Sequence, residues 1–390
     1  MTDPRIAIVH ERFTEYGGSE AVVAEFMQTW PDAQVYAPIV TPDGALAVCR
    51  AARDHSGDAG DGGRHQRSPI HGSWLDRVYA ATGGRTHAPL LPFAPRVLRT
   101  LPLRNGYDAV LVSHHSFATQ AVFATDAPVI AYVHSPARWA WDRAFRAQES
   151  GGRAGQVALA ALGRLARHAE TRAAPRLTRV IANSRAVADR VRDWWGVPAT
   201  VINPPVRLDR FSPADDVARE DFFLFAGRLV PYKRPDLAVR AAQHAGCRLV
   251  ILGDGRARHH LATLAGAETT FLGAAPDDIL LDMYRRCRAL VMPGVEDFGI
   301  VPVEAMACGT PVLALGAGGA LDTVVAGITG EHLDAGPDAA VIARLARAMR
   351  DFDPARYDPP AIRAHAMTFS PEIFRARISA AVTAAHVHLP

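Results

Sequence analysis

The chain has 390 residues, 49% of them hydrophobic and 21% charged, with a formal net charge of +3. This is the mix of a well-packed soluble protein, too long for one ordinary core and suited to two domains. It excludes disorder, collagen and coiled coil; no apolar run reaches the roughly 18 residues of a spanning helix, and the spread charge argues against a nucleic-acid binder.

The opening Met1-Thr2-Asp3-Pro4-Arg5 runs directly into a strand-like Ile6–Val9 without a signal-peptide pattern. A cytoplasmic chain, or one lying on the inner face of a membrane, is therefore expected. Tyr16-Gly17-Gly18-Ser19-Glu20 and a helical pattern over Ala21–Trp30 follow, the strand, glycine turn and helix that open a doubly wound α/β unit. Beyond the apolar stretch Gln34–Val40, Asp54–Ser68 has little to bury and reads as a mobile surface loop. Strands are predicted at Ala109–Ser113, Val129–His134 and Arg179–Asn183, and Gly155–Arg176 reads as an amphipathic helix with Leu162, Leu165, Ala169 and Ala173 on one side.

The regular pattern stops at Pro204-Pro205 and begins again. Phe222–Ala226, Arg248–Leu252, Ala289–Met292 and Pro311–Leu315 read as strands, and Asp236–Ala245, Asp278–Arg286 and Val301–Ala307 as helices. Two successive βαβ systems imply two Rossmann-like domains facing each other across a cleft, 1–205 and 206–370, with a last helix over Pro371–His388 crossing back onto the first. The cysteines Cys49, Cys247, Cys287 and Cys308 have no ligand or CxxC spacing and read as reduced core thiols.

Of 43 basic residues only one, Lys233, is a lysine. It sits in Gly227-Arg228-Leu229-Val230-Pro231-Tyr232-Lys233 after the first strand of the second domain, where a guanidinium fork and a compact ammonium suit a diphosphate. Surface charges are the plain alternative. Further on, Glu296 stands in the loop of Pro293–Gly299 and Glu304 within the following helix, flanked by Phe298-Gly299 and Ala305-Met306-Ala307-Cys308-Gly309-Thr310-Pro311. The first-turn amides of that helix can cradle an anion, and the two carboxylates can hold hydroxyls at the two ends of an extended ligand. A hydrolase acid/base pair, or a cap with a solvated helix residue, would use the same two letters. Gly253-Asp254-Gly255 lacks the third glycine of a dinucleotide fingerprint.

These two segments resemble the retaining glycosyltransferases of family 4, which have the GT-B fold. Gly17-Gly18, His134-Ser135-Pro136, Asn183-Ser184, Pro204-Pro205-Val206, Gly253-Asp254-Gly255 and Gly318-Gly319 extend the resemblance over nearly the whole chain. Ser113-His114-His115-Ser116 and His134–Asp142 are most similar to the bacterial mannosyltransferase branch that builds surface polysaccharides. Two departures are Arg256, where the family often has proline, and Arg207, where it often has an acid. The resemblance implies that Glu296 holds donor-sugar hydroxyls, Glu304 the ribose, and Arg228 and Lys233 the diphosphate, helped by the amides of Phe298, Gly299, Ile300 and Val301. It also implies that His134 contacts the sugar near the reacting carbon, that Gly17 and Gly18 allow close approach, and that Phe271, Leu272 and Gly273 meet the base near Gly253.

On the acceptor side His115, Arg138 and Trp139 are expected, while His10, His114 and Trp141 are weighed as structural. The implied reaction is transfer of mannose from GDP-mannose to a glycan or lipid-linked glycan with retention, without a cofactor, a metal or nucleic acid. The basic helix 155–176 can rest on anionic lipid, with an ordinary surface helix packed on its sheet as the alternative. A UDP-sugar donor, a sugar-nucleotide epimerase, a glycoside hydrolase and a non-catalytic nucleotide-sugar binder are the alternatives.

Overall fold

A computed structural model describes residues 4–54, 70–84, 86–104, 106–147, 152–214 and 216–387; the loop expected at Asp54–Ser68 lies almost wholly outside them. By contact the chain divides into two units, one of residues 1–205 with 372–390 and one of residues 206–371.

In the first unit seven parallel strands are ordered β3-β2-β1-β4-β5-β6-β7. They are β1 (Ile6–Val9), β2 (Gln34–Tyr36), β3 (Ile70–His71), β4 (Ala109–His114), β5 (Val129–Val133), β6 (Arg179–Ala182) and β7 (Thr200–Val201). The central strands β1, β4 and β5 are buried along their whole length, because helices cover both faces and a parallel sheet then needs apolar residues at every position. The helix Pro371–Val387 belongs to this unit: Phe374, Ile378, Ala381, Val382 and Ala385 join its core, and the Phe374 ring meets Phe26 at 5.8 Å and Tyr132 at 5.7 Å.

The second unit has six parallel strands, β8 (Phe223–Ala226), β9 (Leu249–Leu252), β10 (Thr269–Gly273), β11 (Leu290–Met292), β12 (Val312–Leu315) and β13 (Gly330–Leu333), ordered β10-β9-β8-β11-β12-β13. Both sheets therefore reverse direction of winding beside their first strand, between β1 and β4 and between β8 and β11. Ligands of doubly wound sheets bind at the carboxyl ends of the strands at such switch points.

One sequence expectation is corrected. The helix Gly152–Ala173 does not bury Leu165, which is 36% exposed; its inner face is Gly163, Ala166, Ala169, Glu170 and Ala173. A Cβ at Gly163 would stand 3.3 Å from Ala140 Cα, so the helix lies too close to the turn Arg138–Trp141 for leucines to fit.

Candidate functional site

The switch point of the second unit gathers the loops after β8 and β11. Beyond β8, Arg228 is exposed and Lys233 turns back so that its Nζ lies 2.9 Å from Glu296 Oε1, each side chain being 16% exposed. Arg234, the next residue, takes left-handed backbone at φ 53°, the only such non-glycine among the described residues. Its guanidinium forks onto Asp236 and Asp338, with contacts of 2.6–3.1 Å, which holds that costly conformation and with it the direction of Lys233.

Glycine makes the approach of these loops sterically allowed. A Cβ at Gly294 would lie 2.6 Å from the Lys233 backbone, and one at Gly319 only 2.1 Å from Phe298 O. The Gly319 amide donates to the Glu296 carbonyl at 2.9 Å, fixing the loop that carries the carboxylate.

Gly299, at φ 91°, caps the helix Ile300–Ala307, whose first-turn amides at Ile300 and Val301 have no earlier carbonyl within the helix; Pro302 carries no donor. Glu304, on the same helix, accepts from Tyr284 Oη at 3.0 Å. Burial, with the negative charge of Asp277 adding to it, raises its carboxyl to about 7 against that hydrogen bond and the charges of Arg210 and Lys233. The expected base-side residues sit where β9 and β10 end: Gly253 N donates to Gly273 O at 2.7 Å, Leu272 is exposed, and Arg258 lies 4.0 Å over the Phe271 ring.

The switch point of the first unit is lined by histidines at the ends of β1, β4 and β5. His134 Nε2 is 2.8 Å from Ser113 Oγ, and its ring is half-buried. Burial lowers its pKa to about 3, so it is neutral. His115 meets Arg12 at 3.0 Å and is likewise held well below the usual histidine range, by burial first and by Arg12 next. Gly17 and Gly18 are exposed at the start of the helix Gly18–Thr29. Trp139 packs half-buried against the core at 6.3 Å from Phe117, and the Arg138 guanidinium lies 4.5 Å from the Phe145 ring.

His114 has a structural task. Glu11 Oε1 accepts the amides of His115, Ser116, Phe117 and Ala118 at 2.7–3.2 Å, closing the turn after β4. Glu170 accepts from His114 Nε2 at 3.0 Å, from the Ala137 amide at 2.8 Å, and from the indoles of Trp141 and Trp195. The Thr119 amide donates to His114 Nδ1 at 3.3 Å, which leaves the proton on Nε2, facing Glu170. Sequence reasoning gives Glu11, Glu170 and Glu20 no role, and His10 is weighed there as structural; the partners lie 56 or more residues apart in several cases, so no local spacing could mark them. Among the described residues no three His, Cys, Asp or Glu side chains are grouped as a metal ion would need.

Residues 16–210 match the model of Glycosyltransferase Family 4. The chain belongs to glycosyltransferase family 4. Residues 211–357 of this family 4 chain match a second model, Glycosyl transferases group 1. A D-inositol 3-phosphate glycosyltransferase of Kribbella flavida is 32% identical over 277 residues, which is 62% of this chain and 63% of that protein's length. One of Mycobacterium sp. (strain JLS) is 35% identical over 191 residues, 44% of this chain and 43% of the relative. The chain thus matches about half of the length of these curated relatives. Anabaena Alr3699/HepE in complex with UDP superposes with a TM-score of 0.69 at 18% identity, covering 97% of this chain and all of that one. At that identity the likeness speaks for the fold, which is GT-B: two Rossmann-like, parallel-sheet units.

Proposed function

We propose that this protein is a retaining glycosyltransferase that moves a hexose, mannose from GDP-mannose, onto a hydroxyl of a glycan or lipid-linked glycan. The observation that carries the reading is the grouping of Lys233, Glu296 and Glu304 at the switch point of the second unit. In the reaction the acceptor oxygen forms a bond to the anomeric carbon as the bond from that carbon to the diphosphate oxygen breaks on the same face. The bonding electrons leave with the diphosphate, and the acceptor's proton passes to a phosphate oxygen. Lys233, Arg228 and the amides of Ile300 and Val301 stabilise the charge that develops on the leaving group. Glu296 holds sugar hydroxyls, and Glu304 the ribose in its ionised form. Within the first unit His134 is assigned to a sugar contact, and His115, Arg138 and Trp139 to the acceptor.

A UDP-sugar donor is the second reading, favoured by the UDP and UDP-glucose complexes of Alr3699/HepE. Thermal shift with GDP, UDP, ADP and their sugars separates the two. A nucleotide at a hundred times its Kd should add about 2.7 kcal/mol, a rise of several degrees in Tm. A response to UDP alone removes GDP-mannose, and no response to any nucleotide removes the transferase reading.

A peripheral contact with the inner membrane face belongs to the same proposal. No helix among the described residues is long and apolar enough to cross a membrane. The guanidiniums of Arg99, Arg172 and Arg176 lie 5.0, 5.6 and 5.1 Å from the centre of one ring, Phe123. Burial and the charge of Arg172 lower the Arg99 pKa, a repulsion that anionic headgroups would relieve. Vesicles rich in phosphatidylglycerol should sediment the chain and phosphatidylcholine vesicles should not. Changing all three arginines to glutamine should weaken that binding at least tenfold, at about 1 kcal/mol per charge; equal binding to both vesicles removes the contact.

A further inference from the structure

Four polar side chains of the first unit form one unbroken hydrogen-bonded line. Glu20 Oε1 is 3.0 Å from His10 Nε2, His10 Nδ1 is 3.0 Å from Ser113 Oγ, and Ser113 Oγ is 2.8 Å from His134 Nε2. His10 and Ser113 are fully buried. Burial pushes the Glu20 carboxyl up, but the hydrogen bond and charge of His10, with donors from the backbone and Ser19, outweigh it and bring it to about 2. The Gly17 amide and the Ser19 hydroxyl donate to Glu20 Oε2 at 3.0 and 2.9 Å, so the carboxylate is an acceptor and His10 Nε2 faces its Oε1 as a donor. The line has two orientations, which differ in whether His10 Nδ1 accepts from Ser113 Oγ or donates to it.

Ser113 has one hydroxyl proton and no third side-chain partner among the described residues. When His10 is neutral, Nδ1 accepts that proton, the serine lone pairs face an Nε2–H of His134, and His134 Nδ1 is left bare. A second proton on His10 reverses the line. Nδ1–H donates to Ser113, Ser113 donates to His134 Nε2, and His134 then carries its own proton on Nδ1.

We propose that Glu20, His10 and Ser113 are positioning residues that set whether His134 offers a hydrogen-bond acceptor or a donor at Nδ1. The partner this suits is a ligand hydroxyl, which can meet either form, whereas a phosphate oxygen can meet only the donor. The proposal rests on the reading of His134 as a sugar contact. Around His10 stand Glu20 from the helix Gly18–Thr29, His115 with ring centres 5.9 Å apart, the Phe13 ring at 4.8 Å, and His134; Arg12 follows it in sequence. His134 is faced in addition by His114 and by Tyr132 at 5.2 Å.

The test is nitrogen-15 NMR of the histidine-labelled full chain without ligand, across pH, with His10→Gln and His134→Gln used to assign the two rings. A singly protonated His10 should always accompany an Nε2–H His134, and a doubly protonated His10 an Nδ1–H His134. Either crossed combination, at any pH, overturns the proposal. Because no donor is present, a chain that obeys this pairing but transfers no sugar keeps the relay and loses only the ligand assigned to it.

Discussion

Replacing Lys233 by alanine should lower the rate of glycosyl transfer about a hundred- to a thousandfold, the usual effect of removing one preorganised donor from a developing anion. The fold should survive, because among the described residues the one ion pair of Lys233 is with Glu296, itself in the loop of the candidate site. Glu296→Gln separates two roles of the carboxylate. In the free protein Glu296 occupies the ammonium that a diphosphate needs, so a nucleoside diphosphate must displace it. The glutamine variant should therefore bind free nucleoside diphosphate as well as or better than the parent, while transfer falls by two orders of magnitude or more. Calorimetric titration with the nucleotide, beside initial rates with the full donor, reads both effects. Near-parental rates in both variants would take these residues out of the reaction.

Glu170→Ala should be the most damaging single change to stability. It strips an acceptor from His114, from the Ala137 amide and from two indoles at once, all in a site with no solvent to replace it. A loss of about 3–5 kcal/mol is expected, as for a buried charge network broken from one side. At roughly 2–4 °C per kcal/mol that is a fall of about 6–20 °C in Tm, and the urea midpoint should drop with it. Glu170→Gln keeps one acceptor oxygen and should fall between the two. A shift under 1 kcal/mol for the alanine variant would mean that the four donors find other partners.

The ease of reading this fold follows from its parallel sheets. β1, β4, β5, β8 and β9 are buried on both faces, so they stand out as continuous apolar runs between helical patterns. The edge strands do not. β10 alternates between half-buried and exposed residues, and β13 carries Glu331 and His332. Lys233, Glu296 and Glu304 are legible because each lies in a local motif that combines strand end, glycine and charge. The Glu11, Glu20 and Glu170 networks have no such signature, since their meaning appears only when strands distant in sequence come side by side. Leu165 shows the opposite failure: helical periodicity assigns it inward, and the small-residue contact at Gly163 and Ala140 turns it out.

The solitary lysine has a practical consequence. Reagents that modify side-chain primary amines meet one target in the whole polypeptide, and that target is tied to Glu296 in the candidate donor pocket. Acylation or reductive alkylation of the side chains in this sequence is thereby confined to a single address, so occupancy of the pocket can be followed by the mass of one peptide.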